Sequence, residues 1–478
     1  MFFLLAGITL LFLMLNMAFS DKDYMYPSVV LCAVFLVYEM VCLSVRSTYE
    51  IQIHPQTVMA VTFMLTIFTV VGGIMRPVRK TSAACRVSEA APEVIKVPVW
   101  LVAVLIFLQL ASIWFFIKYL RAIRDAWQIN GMEAESITGS ASEPSLSSLI
   151  NLYDTMTKFW PETFRKLSVP IPLAYRILNP VCSAAAYMLI YVEANNFVAA
   201  HRLNFLHIVS IVLMCVLIVL NGSRTPLLRV IVMASVLLYI LNCRKYPASK
   251  GSMKTLIKIA VLFAGAAVMM IVVLQIMGRS EKVGALSRYF FIYVGAPLVN
   301  FDSFIAGNDI GLFRGCAGVF ETPRLFGAQT FRAGYNYIGK LFDIDGLRYT
   351  GISHFALSSN GIEIGNVYTA LYYPVYDFGY IGIILMIPIT ALYYTATYKK
   401  CMERPGSKVI DFRLYIYAYL YNDLVMQAFS SSFFSTVLDA PFLKLLLVSY
   451  IYDRVIFESR FMTRKESRGL KRTGRWAI

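Results

Sequence analysis

Apolar runs about as long as a membrane is thick recur along this chain of 478 residues. A helix crosses the hydrocarbon core of a bilayer with about 20 apolar residues. Eleven segments reach or approach that length: residues 2–19, 27–45, 57–75, 97–117, 171–192, 204–220, 226–241, 256–277, 378–398, 412–428 and 433–456. The pattern therefore predicts an all-α integral membrane protein with about eleven transmembrane helices.

The composition supports the same class. Hydrophobic residues make up 58% of the chain and charged residues 15%, whereas soluble domains carry about 25% charged residues. A net charge of +16 would suggest nucleic-acid binding in a soluble protein, but here the excess cations fall in loops and in the tail. Residues 2–19 lack a basic leading segment and a cleavage site, so we predict a first membrane span there rather than a signal peptide.

Lysine and arginine clusters orient the predicted spans, because cytoplasmic loops of membrane proteins carry an excess of these residues. With eleven spans, the dense clusters all fall on one side, which we predict to be cytoplasmic: residues 76–96, 244–254, 399–408 and 454–475. The outer face then receives the N-terminus and, among the connections, residues 46–56, 118–170, 221–225 and 278–376.

One of these connections is far longer than the connections usually found in a chain with so many apolar residues. The polar stretch 278–376 is predicted to be a large extracytoplasmic loop that carries short helices. The predicted organisation is eight transmembrane helices in 1–277, this loop, three helices in 377–456 and a basic cytoplasmic tail at 457–478.

Two outer segments are expected to lie at the membrane interface. Residues 146–164, within the outer connection 118–170, place apolar side chains at helical spacing, which is typical of an amphipathic helix in the head-group plane. Residues 285–305 are apolar enough to rest on the membrane, but Arg288 and Asp302 argue against a full span.

Arg224 is the first candidate functional residue. It lies in Asn-Gly-Ser-Arg-Thr-Pro between two predicted spans, just before a helix that Pro226 suits as a first-turn residue. Helix N-termini favour anions, and arginine can grip phosphate through two parallel hydrogen bonds. The alternative is an interfacial arginine that snorkels to the head groups. Arg229 is one turn deeper, where an arginine needs a partner, a cavity or a substrate.

Other arginines lie at the same predicted boundary. Arg279 follows the end of a span, and Arg288 lies in a tyrosine-rich segment. Together they could clamp a diphosphate, and Arg176 near the start of span 171–192 is a weaker member of this substrate-binding set. Interfacial anchoring is the alternative for all three.

The candidate general base is His354, the only histidine in residues 278–376. An unperturbed imidazole titrates near neutral pH and suits this role. Asp302, Glu363 and Asp377 are alternative bases on the outer face. His54 lies in a short loop, and His201 and His207, near the cytoplasmic face, are predicted to be structural or incidental. We expect no metal and no cofactor, because no ligand cluster or nucleotide-binding loop has the required spacing.

The segment 365–382 is the most distinctive of the chain. Its hydrogen-bonding and aromatic side chains are candidates for holding sugars: Asn366, Tyr368, Thr369 and Tyr376. Gly379 and Gly382 would allow a tight entry into the next span. An aromatic belt at the membrane interface is the alternative.

At these motifs the chain resembles the Wzy-type oligosaccharide repeat-unit polymerases of O-antigen and capsule biosynthesis. The matching pieces are Gly222-Ser-Arg224, Gly278-Arg279, Arg288-Tyr289 with Pro297, Asn366-Val-Tyr-Thr and Tyr376-Asp-Phe-Gly379, in an order that covers about 118–456. A pattern of some Wzy loops, arginine followed by glycine eleven positions later, is not found at Arg224, Arg279 or Arg288.

The resemblance implies a multi-pass glycosyltransferase of the bacterial cytoplasmic (inner) membrane, with the large-loop architecture shared with O-antigen ligases. Its substrate would be an undecaprenyl-diphosphate-linked oligosaccharide, and its partners would be membrane lipids, a chain-length regulator and a flippase, with no nucleic acid. Arg224, Arg279 and Arg288 would bind the diphosphate, while His354 or otherwise Asp377 would be the catalytic base. An O-antigen ligase-like enzyme and a non-enzymatic flippase are the alternatives.

Overall fold

The structure, a computed structural model, describes residues 1–75, 92–129, 145–246, 286–316, 323–349, 356–357, 361–403 and 410–457, with isolated positions between 252 and 272. The described chain is largely helical. Its helices are α1 (Phe2–Phe19), α2 (Pro27–Val45), α3 (Pro55–Ile74), α4 (Val99–Ile129), α5 (Leu146–Phe159), α6 (Pro161–Lys166), α7 (Leu173–Ala200), α8 (Phe205–Leu220), α9 (Thr225–Lys245), α10 (Leu286–Val294), α11 (Ala296–Gly307), α12 (Arg332–Leu341), α13 (Tyr372–Phe378), α14 (Ile381–Glu403), α15 (Phe412–Val425), α16 (Ser432–Val437) and α17 (Ala440–Tyr452).

Short elements complete the described chain. Strands β1 (Ala356–Leu357) and β2 (Glu363–Gly365) pair antiparallel as a small hairpin. Single helical turns follow α12 at Asp345–Leu347, α15 at Met426–Ala428 and α17 at Asp453–Phe457.

Seven of the described helices are long and apolar enough to cross a membrane: α1, α2, α3, α4, α7, α9 and α14. Helix α8 is apolar but shorter, with 16 residues. The prediction of an all-α, multi-pass membrane protein is therefore confirmed. The predicted span 256–277 lies almost entirely outside the described residues.

The predicted span 433–456 is not one continuous helix. Helix α16 ends at Val437, and α17 begins at Ala440 with Asp439 as its N-cap residue. Pro441 explains the interruption, because proline lacks the N–H that a continuing helix needs but is tolerated in a first turn.

The predicted amphipathic helix at 146–164 forms as two helices. It breaks at Trp160, which lies between α5 and α6, because Pro161 begins the second helix. Ser145 caps α5 by accepting a hydrogen bond from the backbone N–H of Ser148 at 3.3 Å. The apolar face of α5, including Leu149 and Met156, is buried with α4 in a separate core cluster.

The apolar part of the long polar stretch is attached to the helix bundle. Residues 286–305 fold into α10 and α11, which pack on α2 and α3. Tyr38 Oη donates to the backbone carbonyl of Tyr293 at 3.2 Å, and Cys42 Sγ donates to that of Gly295 at 3.3 Å. These contacts fix the position of the junction between α10 and α11.

A buried aspartate joins three parts of the bundle. Asp23, in the connection between α1 and α2, is fully buried and accepts hydrogen bonds from Tyr239 Oη at 2.6 Å and from Tyr398 Oη at 2.7 Å. Because a buried carboxylate is costly unless it is hydrogen-bonded, these tyrosines tie α9 and α14 to the N-terminal hairpin.

The turn into α14 is tight, as we predicted from Gly379 and Gly382. Gly379 has a φ of +73°, in the left-handed region that side chains rarely adopt. A Cβ atom at Gly382 would lie 2.1 Å from the carbonyl oxygen of Pro374. The chain therefore needs glycine at both positions to turn from α13 into α14.

We expect Gly382→Ala to destabilise the protein by about 1–3 kcal/mol, because the backbone of α13 must move to admit the methyl group. Thermal unfolding in detergent measures the effect. Gly7→Ala is the matched control, since a Cβ at Gly7 in α1 meets nothing within 4 Å. Equal melting temperatures for the two variants would contradict the packing argument.

Candidate functional site

Arg224 lies where the sequence predicted it, at the N-terminus of α9. It is the N-cap residue of this helix, with Pro226 in the first turn. Its Nη2 donates to Tyr293 Oη of α10 at 3.1 Å, and its guanidinium carbon lies 5.3 Å from the centre of that ring. The ring of Tyr293 in turn stacks on Phe429, with centroids 6.1 Å apart.

This arrangement suits an anionic ligand. Arg224 is half-buried, and one of its hydrogen bonds goes to the phenol of Tyr293. The backbone N–H groups of the first turn of α9 add the partial positive charge of a helix N-terminus. A phosphate here would meet both a guanidinium and a helix end.

Arg229 has a different environment. Its Nη2 donates to Asp423 Oδ1 at 3.0 Å and its Nη1 donates to Tyr419 Oη at 3.0 Å, both on α15. Thr436 of α16 lies 3.5 Å from the same Nη2. The side chain of Asp423 is fully buried, and that of Arg229 is 14% exposed.

The expectation that Arg229 needs a partner is thus confirmed, and the partner is Asp423. Arg229 is five residues beyond Arg224, about 7.5 Å further along the helix axis and on another face of the helix. The ion pair joins α9 to α15 and assigns Arg229 a structural role. The signal for this partner was present in the sequence, because Asp423 is an ionisable residue within the apolar run 412–428.

Arg176 lies close to the same end of the bundle. It is exposed in the first turn of α7. The neighbouring Tyr175 exchanges hydrogen bonds with Asn221, at 2.8–3.0 Å, so the start of α7 is attached to the turn that carries Arg224. A substrate-binding role for Arg176 remains a prediction.

Asp377, an alternative base, anchors a turn. Its carboxylate accepts hydrogen bonds from the backbone N–H groups of Gln329 at 3.0 Å and Thr330 at 2.7 Å, and from Thr330 Oγ1 at 2.7 Å. Burial raises the pKa of the Asp377 carboxyl, while these three hydrogen bonds oppose the rise. Both oxygens are engaged, which favours anchoring of the turn at 326–331 over proton transfer.

We therefore expect Asp377→Ala to expose the turn at 326–331 to proteolysis. Each lost hydrogen bond to a charged group is worth about 1.5–3 kcal/mol. Limited proteolysis from the outer face, with peptide mapping, measures the change. A variant that is cleaved no faster than wild type, yet has lost its activity, would instead return Asp377 to the list of candidate bases.

The predicted sugar-holding role is not supported for three residues of the segment 365–382. Tyr368, Thr369 and Tyr376 are only 8%, 0% and 2% exposed. Tyr368 stacks on Tyr372 with centroids 4.1 Å apart, and Phe304 of α11 stacks on Tyr376 at 6.1 Å.

Tyr368 and Tyr376 therefore pack against Phe304 in the core between α11 and α13. Asn300 of α11 holds the backbone of the segment through the carbonyls of Gly365 and Val367, at 3.3 and 2.8 Å. Asn366 remains half-buried, so a role in substrate binding stays a prediction for this residue.

Other candidates fall partly or wholly outside the described residues. Arg279 and His354 lie outside them. The backbone of Arg288 belongs to α10 and that of Glu363 to β2, but their side chains are not described.

Asp302, the remaining alternative base, has a partner that the sequence analysis overlooked. This carboxylate of α11 lies 2.8 Å from the imidazole Nδ1 of His54. The pair joins the connection between α2 and α3 to the long polar stretch.

Comparisons of the chain with protein-family models, with curated proteins and with solved structures give no match.

Proposed function

We propose that the chain is a polymerase of lipid-linked oligosaccharide repeat units. It would transfer a growing glycan from undecaprenyl diphosphate to the next undecaprenyl-diphosphate-linked repeat unit at the outer face of the membrane. The proposal includes eleven spans, the orientation with residues 278–376 outside, and a location in the bacterial cytoplasmic membrane.

The observation that carries this proposal is the position of Arg224. An anionic diphosphate attached to a lipid lies at the membrane boundary, where a bundle helix begins with Arg224 beside Tyr293 and Phe429. The guanidinium and the helix N-terminus supply fixed positive charge for the diphosphate. Arg279 and Arg288 would extend the same clamp.

The transfer needs three events at this boundary. The acceptor hydroxyl oxygen forms a bond to the anomeric carbon of the donor glycan, whose bond to the diphosphate oxygen breaks. The electron pair leaves with undecaprenyl diphosphate, whose developing charge Arg224 offsets. A base accepts the hydroxyl proton.

Asp423 weakens the case for a flippase, one of the two alternatives. An exporter of a lipid-linked anion would use cations in a central cavity, whereas the deep arginine Arg229 is bound to this carboxylate. The second alternative, an O-antigen ligase-like enzyme, would use the same donor with another acceptor.

Analysis of the lipid-linked glycans in a deletion strain separates the three functions. If the protein is the polymerase, the deletion strain keeps single repeat units on the outer leaflet. Restoring the gene then restores the ladder of longer lipid-linked glycans. Long lipid-linked polymer in the deletion strain would identify a ligase. Single units confined to the cytoplasmic leaflet would identify a flippase, and either of these two results would reject the proposal.

A further inference from the structure

A histidine at the start of α3 and a buried carboxylate of α11 form a pair. His54 immediately precedes α3, and its Nδ1 lies 2.8 Å from Asp302 Oδ2. The other oxygen, Oδ1, accepts hydrogen bonds from the backbone N–H of His54 at 2.8 Å and from Thr57 Oγ1 at 2.6 Å. Asp302 thus holds both the backbone and the ring of His54.

The two members of the pair differ in exposure. The side chain of Asp302 is 4% exposed, whereas that of His54 is 49% exposed. An ionised carboxylate only accepts hydrogen bonds, so the neutral imidazole carries its proton on Nδ1 and keeps a lone pair on Nε2. This tautomer makes Nε2 the basic nitrogen, and the buried carboxylate sets the orientation of the ring.

Helix capping does not account for the whole arrangement. The backbone N–H of His54 and the hydroxyl of Thr57 already use Oδ1 at the start of α3. The ring contact uses the second oxygen and satisfies no backbone group of the helix. Serine, threonine, aspartate and asparagine are the usual N-cap residues, so capping gives no reason for histidine here.

The pair is connected to Arg224 through α10 and α11. Asp302 lies in α11, and Tyr293, which contacts Arg224, lies in α10. Asp302 is nine positions beyond Tyr293, across the junction between the two helices. The segment formed by α10 and α11 therefore contacts Arg224 through Tyr293 and holds the imidazole of His54 through Asp302.

We propose that His54 is the general base of the transfer and that Asp302 is its positioning residue. Nε2 of His54 takes the proton of the acceptor sugar hydroxyl while the hydroxyl oxygen bonds to the anomeric carbon and undecaprenyl diphosphate departs. This inference rests on the proposed polymerase function and assigns its base to a residue outside the large loop.

Chemical rescue tests the assignment in proteoliposomes that contain the full-length protein and lipid-linked repeat units extracted from a deletion strain. His54→Ala is expected to slow elongation about 100-fold or more, the usual range for loss of a general base. Added imidazole is expected to accelerate His54→Ala and to leave wild type unchanged. His201→Asn is the matched control, because His201 is exposed at the end of α7 in a left-handed conformation that asparagine tolerates.

The positioning role of Asp302 is tested by combining its substitution with one at His54. Asp302→Asn alone is expected to slow elongation at least tenfold. Combined with His54→Ala, it is expected to cause no further loss of rate, because a positioning residue acts through the group that it orients. Equal effects in both backgrounds would assign Asp302 to helix capping alone. His54→Gln, whose amide can still donate to Asp302, serves as the base-free variant if His54→Ala does not fold.

The outcomes separate the two proposals. Elongation by His54→Ala and His54→Gln at the wild-type rate, or loss of elongation without rescue by imidazole, would overturn the assignment of His54 and leave the polymerase function standing. No elongation by folded wild-type protein would overturn the function itself.

Discussion

Arg229→Ala is expected to lower the free energy of unfolding by about 3–5 kcal/mol, because it leaves the carboxylate of Asp423 buried without its cation. Asp423 is fully buried and accepts from Arg229 at 3.0 Å. Asp423→Ala should destabilise the protein by a similar amount through the opposite unpaired charge. Thermal unfolding of the purified variants in detergent measures both changes in stability.

The double variant Arg229→Met with Asp423→Leu is the informative control. Buried ion pairs replaced together by apolar residues of similar size are often neutral or stabilising. We therefore expect the double variant to recover most of the lost stability and to remain active, since Arg229 is assigned a structural role. Single variants as stable as wild type would show that the pair contributes nothing, and a stable but inactive double variant would place Arg229 in the substrate site.

Arg224→Ala is expected to reduce elongation about 10- to 100-fold, because a hydrogen bond to a charged group contributes about 1.5–3 kcal/mol and each 1.4 kcal/mol is tenfold. The long rungs of the product ladder should disappear while the protein stays in the membrane. Arg224→Lys keeps the charge but not the planar fork, so we expect intermediate chain lengths.

Arg202→Ala provides the control for Arg224. Arg202 is exposed in the turn between α7 and α8, which the predicted orientation places on the cytoplasmic face. If Arg224→Ala still produced full-length polymer, the proposed function would lose the observation that carries it. Equal losses in the two variants would indicate a general effect of net charge rather than a diphosphate contact.

Regular hydrophobic runs were the most predictable part of this fold. The runs at 2–19 and 27–45 coincide with α1 and α2, and 57–75 differs from α3 by one or two residues at each end. Such helices satisfy all their backbone groups internally, so their length and composition are enough to identify them. The same local chemistry predicted Arg224 before a helix N-terminus and the glycine turn into α14.

Pairings between distant segments were not predictable from the chain alone. Arg229 and Asp423 are 194 residues apart, and His54 and Asp302 are 248 residues apart. Each residue taken singly resembles an incidental charge, and only the packing of the bundle makes it a partner. The buried tyrosines of 365–382 show a related difficulty, because an aromatic side chain suits a sugar site and a packed core equally well.

Elongation by the purified protein tests the central claim most directly. Proteoliposomes that contain this chain as their only protein are supplied with single undecaprenyl-diphosphate-linked repeat units from the deletion strain, and the lipid-linked products are separated by size. The polymerase account predicts dimers and longer oligomers together with released undecaprenyl diphosphate, and their loss in Arg224→Ala. Repeat units that remain single while the folded wild-type protein moves them across the bilayer would contradict it.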